Sequence, residues 1–140
     1  MSIVTKDDLQ KHLEKLPTNQ YLNLEVIDVD EGYVMLKMPF NPTFTNSWTN
    51  THGGAILTIS DITFYLANTT LNGIDLSGRT VTAEQKTNFL RPTRRTDLYS
   101  EGKIIKNGRQ NIFGEVLITN PDKKLIAHST ITYNKILLDN

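Results

Sequence analysis

The chain has 140 residues, 15 basic and 15 acidic side chains and no cysteine. That length supports one core and not two, and the balanced charge gives no overall field for nucleic acid or an anionic membrane surface. Without cysteine there are no disulfides, no thiolate nucleophile and no cysteine-ligated metal; His12, His52 and His128 lie too far apart for helical metal-ligand spacing.

Thr5-Lys6-Asp7-Asp8 has the form of a capping box, and Leu9, Leu13 and Leu16 follow at helical spacing, which predicts a short amphipathic helix stopped by Pro17. The first residues lack the basic start and apolar run of a signal peptide, and no stretch approaches the roughly 20 apolar residues of a membrane span, so a cytoplasmic protein is expected. Tyr21 to Asp28 and Gly32 to Met38 read as two strands around an acidic, glycine-ended turn. Pro39 and Pro42 interrupt pairing, and a loop rich in Asn, Thr and Ser runs to His52; Phe44 and Trp48 are expected to tack it onto the core.

His52-Gly53-Gly54 then opens an apolar helix running to about Thr70 and ended by Asn72-Gly73 and the polar Asp75 to Gly78 segment. Its apolar residues fall on most faces, as in a helix enclosed by other structure. Four strand-like runs follow, Thr80 to Leu90, Asp97 to Lys106, Gln110 to Thr119 and Leu125 to Lys135, with a tight hairpin at Asn107-Gly108-Arg109. No linker or repeat divides the chain. The expectation is one α+β domain over residues 1–140, with antiparallel strands wrapped around one long helix.

Two features of that helix point to chemistry. Glycines at a helix start leave unpaired N–H groups where a ligand can approach closely, and such an end attracts negative charge. Asp61, among Ile56, Leu57, Ile59, Ile62, Phe64 and Leu66, is a charge in a segment that reads as core, and buried charge is costly unless paired or used. Each feature also has a plain reading. Asp61 can be a satisfied polar core group, Gly53-Gly54 a tight helix entry, Asn46 a turn cap, His52 a structural hydrogen-bonder, and Arg91, Arg94 and Arg95 a solvated turn.

Asn46 stands six residues before His52-Gly53-Gly54, and Asp61 nine residues after that histidine. With this spacing, with Phe89-Leu90-Arg91-Pro92 and with Gly108-Arg109, the chain resembles the hotdog-fold acyl-CoA thioesterases, specifically the PaaI-type branch. The resemblance covers nearly the whole chain. It departs at Thr49, where the family often has glycine.

The resemblance implies an antiparallel sheet wrapped around a central helix, a cofactor-free and metal-free site, and hydrolysis of an acyl-CoA to a carboxylic acid and free CoA. The Gly53 N–H would hold the thioester oxygen, Asp61 would act as general base or nucleophile, and Asn46 and His52 would orient thioester or water. Gly54, Thr82, Phe89, Arg91 and Arg109 would contact substrate; CoA phosphates would meet Arg91, Arg94 or Arg95, and Phe64, Tyr65 and Phe89 would shape the acyl pocket. Eight residues of one helix separate Gly53 and Asp61 by roughly 12 Å, too far for both to serve one carbonyl. A two-fold homodimer, or a tetramer built of such dimers, would bring Gly53 of one subunit to Asp61 of the other. The alternatives on the same fold are a non-catalytic acyl-CoA-binding or sensing module and a hydratase; Asp61 argues for hydrolysis, and the paired Asp and His expected of a hydratase are missing.

Overall fold

The computed structural model describes residues 4–136. Helix α1 (Lys6–Glu14) begins with the expected capping box, in which the Thr5 side chain accepts from the Asp8 N–H and the Asp8 carboxylate from the Thr5 N–H. Leu9 and Leu13 face the core. Tyr21 and Leu22, expected at the start of a strand, instead form a short helix α2 (Asn19–Leu22), because Asn23 takes a left-handed conformation (φ 52°) that turns the chain before strand β1 (Glu25–Asp30). Strand β2 (Tyr33–Met38) follows a turn through Gly32 at φ 70°.

Helix α3 (Gly53–Ser77) is longer than expected. Gly73, at φ 79° and ψ 166°, breaks it without ending it, so Gly53 to Asn72 is one uninterrupted rod and the final turn is reset in direction. Strands β3 (Thr80–Phe89), β4 (Leu98–Asn107), β5 (Asn111–Thr119) and β6 (Leu125–Lys135) complete a six-stranded antiparallel sheet in the order β1-β2-β4-β5-β6-β3. In β2 and β5 inward positions alternate as the sequence reading expects, as at Ile112, Val116 and Ile118 of β5, whereas β1, β3 and β4 each carry a register shift.

All six strands touch α3. The helix comes close to the sheet over two glycines: a Cβ on Gly102 would lie 3.0 Å from the Thr63 side chain, and one on Gly114 would meet the Lys103 carbonyl and, at 2.8 Å, the Phe64 ring. Phe64 is fully buried there and packs edge-on against Tyr133, ring centres 4.6 Å apart. Phe64 is therefore a core residue and not part of an acyl pocket.

The enclosure of α3 is incomplete. Buried positions such as Ile56, Ile59, Thr63 and Leu66 cover the sheet side, while Gly54, Leu57, Thr58, Asp61, Ile62 and Tyr65, spaced by three and four residues, form a stripe that stays partly or fully open to solvent. Strand β3, at one edge of the sheet, is likewise mostly exposed, with Val81 at 47% and Phe89 at 53%.

Candidate active site

The site has two halves on one helix. At the N-terminus of α3, the His52 Nδ1 accepts a hydrogen bond from the Gly54 N–H at 2.9 Å and so caps the helix, which requires the neutral ring to carry its proton on Nε2. Gly54 is thus already engaged. The Gly53 N–H has no partner among the described residues, and it sits at the positive end of a rod of twenty residues. The Phe89 ring lies over Gly53, 3.4 Å from where a Cβ would stand.

Two turns along, the Asp61 carboxylate is half-buried and held by two hydroxyls. Thr82 Oγ1 donates to Asp61 Oδ1 at 2.9 Å and Tyr133 Oη donates to the same oxygen at 2.7 Å, with Tyr133 also 2.9 Å from the Asp61 carbonyl. Asp61 Oδ2 has no hydrogen bond among the described residues. Burial pushes the Tyr133 hydroxyl far above the usual tyrosine pKa, and the neighbouring Asp61 charge pushes it further. It remains a donor at any pH the protein meets. Leu16, Ile62, Tyr65, Thr80, Thr82 and Tyr133 line a cleft beside the carboxylate, and Tyr65 Oη is 2.8 Å from His12 Nε2 on α1.

Between the halves, Thr18, Tyr21, Leu22, Thr43, Phe44, Gly54, Ala55 and Thr58 enclose a mainly apolar cleft of about 330 Å³. The short helix α2 forms one wall of it, so the segment that departs from the expected strand contributes to the site.

The other expected site residues are placed as follows. Asn46 Oδ1 accepts from the N–H groups of Trp48 (2.9 Å) and Asn50 (3.2 Å) and so shapes the loop entering α3. Thr49, standing where glycine is usual in the resembled pattern, takes the left-handed conformation (φ 63°), a strained choice for a β-branched residue. Phe44 packs on the core as expected, but Trp48 does not: it is 81% exposed, because the Asn46-centred turn directs it outward. Arg91 Nη1 donates to the Leu125 carbonyl at 2.8 Å. Arg109 lies in the β4–β5 turn, beside Asn107, whose side chain bonds Asn72 near the far end of the α3 rod; the fold does not bring it to Gly53 of its own chain. Tyr133 is the residue that sequence reasoning missed. Its signal was its place at an inward position of β6, since a buried tyrosine hydroxyl needs a partner.

Among the described residues, no three His, Asp or Glu side chains gather as metal ligands would, and no helix is long and apolar enough to cross a membrane.

A six-stranded antiparallel sheet around one long helix, with a glycine at the helix start and a carboxylate two turns along it, defines the hotdog architecture. Solved structures agree: the chain superposes on the E. coli PaaI protein from the phenylacetic acid degradation operon (TM-score 0.80, 22% identity, 94% of each chain) and on zebra fish thioesterase superfamily member 2 (TM-score 0.85, 22% identity, 95% of this chain and 99% of that one). The family model described as Thioesterase superfamily matches residues 49–127. A protein of Saccharolobus solfataricus named "Putative esterase SSO2140" is 34% identical over 108 residues, 77% of this chain and 75% of that one. The chain belongs to the thioesterase superfamily, a family of hydrolases.

Proposed function

We propose that this protein hydrolyses acyl-CoA thioesters to a carboxylic acid and free CoA, at two equivalent sites formed across a homodimer. The reading is carried by one observation: an open Gly53 N–H and a carboxylate with one free oxygen sit on the same rigid helix, eight residues and roughly 12 Å apart. Neither group can serve the other within a chain, and a two-fold axis supplies each with its complement. The open stripe on α3 and the long exposed edge strand β3 are the surfaces that a second copy would cover.

In each site, the Gly53 N–H of one subunit holds the thioester oxygen as negative charge develops on it. Asp61 of the other subunit takes a proton from water through Oδ2, while Thr82 and Tyr133 hold Oδ1 in place. Water attacks the carbonyl carbon, the C–S bond breaks, and the thiolate leaves as CoA after taking a proton. His52 supports the reaction by capping α3 and thereby directing its first amides, Asn46 by shaping the approach loop. The apolar cleft beside Gly54 receives the acyl group.

A thiol-release assay over a panel of aryl and fatty acyl-CoAs, with wild type and Asp61→Ala, tests the chemistry. Loss of about 10²- to 10⁴-fold in kcat is expected for the variant, the usual worth of a positioned general base; unchanged hydrolysis would remove Asp61 from the reaction, and tight binding without any turnover would make the protein an acyl-CoA-binding module instead. Mixing Asp61→Ala subunits with subunits carrying a Gly53 variant that blocks the oxyanion hole, itself verified as inactive, tests the shared site. The heterodimer holds one intact and one doubly damaged site, so activity should return on exchange; none returning after verified exchange would refute it.

A further inference from the structure

We propose that Asn41, which touches none of the reacting groups, is the positioning residue that sets acyl preference. Its side-chain amide ties together the two walls of the apolar cleft beside Gly54, and the width so fixed suits an uncharged acyl group of up to roughly a dozen carbon atoms. The inference rests on the acyl-CoA reading for the identity of the occupant and on the following features for the role of Asn41.

The two walls are held to the fold differently. Thr43 and Phe44 lie in the 3₁₀ turn Pro42–Phe44; the Phe44 carbonyl accepts the His52 N–H at 2.6 Å and Thr45 bridges Thr51, so this wall is fastened to the start of α3. The facing wall is α2, a helix of one turn for which Thr18 provides no side-chain cap. A helix that short does not hold itself. Leu22 and Asn19, whose Oδ1 accepts the Leu24 N–H at 2.8 Å, anchor its inner side, while Tyr21 stands 65% exposed at its outer edge.

Asn41 spans the gap. Its Nδ2 donates to the Tyr21 carbonyl at 2.8 Å and its Oδ1 accepts from the Thr43 N–H at 2.9 Å. Among the described residues this amide is the one hydrogen-bonded link between residues 18–22 and residues 41–45. One partner is a carbonyl and the other an N–H, so neither Asp nor Leu, equal to Asn in size, can make both bonds. The space between the walls is about 330 Å³. A cavity of about 150 Å³ holds benzene, which gives this one room for roughly a dozen carbons. No charged side chain lines it, so a terminal carboxylate on the acyl group would enter unpaired, at a cost that excludes dicarboxylic acyl groups.

Titration calorimetry with S-alkyl-CoA thioethers, from ethyl to hexadecyl, reads the cleft without turnover, beside hydrolysis of the matching acyl-CoAs. Wild-type affinity should rise by up to about fourfold per methylene and level off near about twelve carbons. Asn41→Asp keeps an acceptor for the Thr43 N–H and sets an oxygen against the Tyr21 carbonyl, so it breaks the tie to α2 alone. In that variant the gain should fall to about twofold per methylene, as for a chain met from one side only, and the levelling should vanish; in hydrolysis KM should rise most for the longest acyl groups. An unchanged Tm verifies the fold, and Asn41→Ala, which loses both bonds, replaces the variant if it does not persist. Wild-type affinity that does not grow with chain length, or a folded variant that keeps the wild-type dependence or loses the same factor at every length, overturns the role of Asn41. If acyl-CoAs are still hydrolysed, the thioesterase reading stands. Length-dependent binding that Asn41→Asp flattens, without hydrolysis of any thioester by wild type, does the reverse.

Discussion

Asp61 Oδ1 receives two hydroxyl donors: Thr82, which the resemblance places at the site only as a substrate contact, and Tyr133, which only the folded chain brings there. A hydrogen bond to a charged group is worth about 1.5–3 kcal/mol, so Tyr133→Phe, which keeps the ring packed on Phe64, should lower kcat by about tenfold or more and leave KM nearly unchanged. Steady-state kinetics with an unaltered kcat would show that Tyr133 serves packing alone. His12, bonded to Tyr65, makes a pH prediction. Burial, with a smaller contribution from the Lys15 charge, holds its pKa below the ordinary value. Between that lowered pKa and about 6.5 the unfolded chain binds more protons than the folded one, so stability rises with pH across the window and is lost on acidification. The fall in Tm from about pH 7 to about pH 5 should therefore be smaller in His12→Gln than in wild type.

At the scale of elements, the seating of α3 on the sheet depends on what two strands lack. Gly114 of β5 leaves room for the Phe64 ring and lies against the Lys103 carbonyl, and Gly102 of β4 leaves room for Thr63. Gly114→Ala places a methyl group where backbone already stands. Overpacking of this kind costs roughly 1–3 kcal/mol, which chemical denaturation should report as a lower midpoint at unchanged slope. Since α3 carries both halves of the site, activity at temperatures well below the transition should fall too if the helix shifts to make room. The close approach also explains why the helix looks enclosed from its composition while one stripe stays open: the sheet takes up the faces holding Ile56, Ile59 and Leu66, and Leu57, Asp61 and Ile62 are left outside.

For the whole molecule, an edge strand of ten residues and an exposed helical stripe centred on a carboxylate are poor features for a solitary protomer. Light scattering should give a particle of at least twice 15.9 kDa. Leu57 is 38% exposed on the α3 stripe, so Leu57→Glu should bury an unpaired charge in the assembly; such a charge costs about 3–5 kcal/mol, and the variant should become monomeric and inactive together. A monomeric variant of full activity would end the two-chain reading of the site.

Local signals in the sequence determined much of this protein. Capping chemistry at Thr5 and Asp8, alternation in β5 and turn residues between the later strands marked the elements, and the oddity of Asp61 together with the glycines at positions 53 and 54 marked the site, because these patterns express local backbone and burial preferences. Helix rise alone, applied to an uninterrupted α3, separates the two halves. Tertiary structure decided the rest. Tyr133 reaches Asp61 across 72 residues of chain, the 92–95 turn meets the Trp48 loop through bonds between residues more than 40 apart, and Tyr21 belongs to a helix at the wall of a cleft instead of a strand. Such pairings depend on which distant segments the sheet order brings side by side, and no local window of the sequence holds that information.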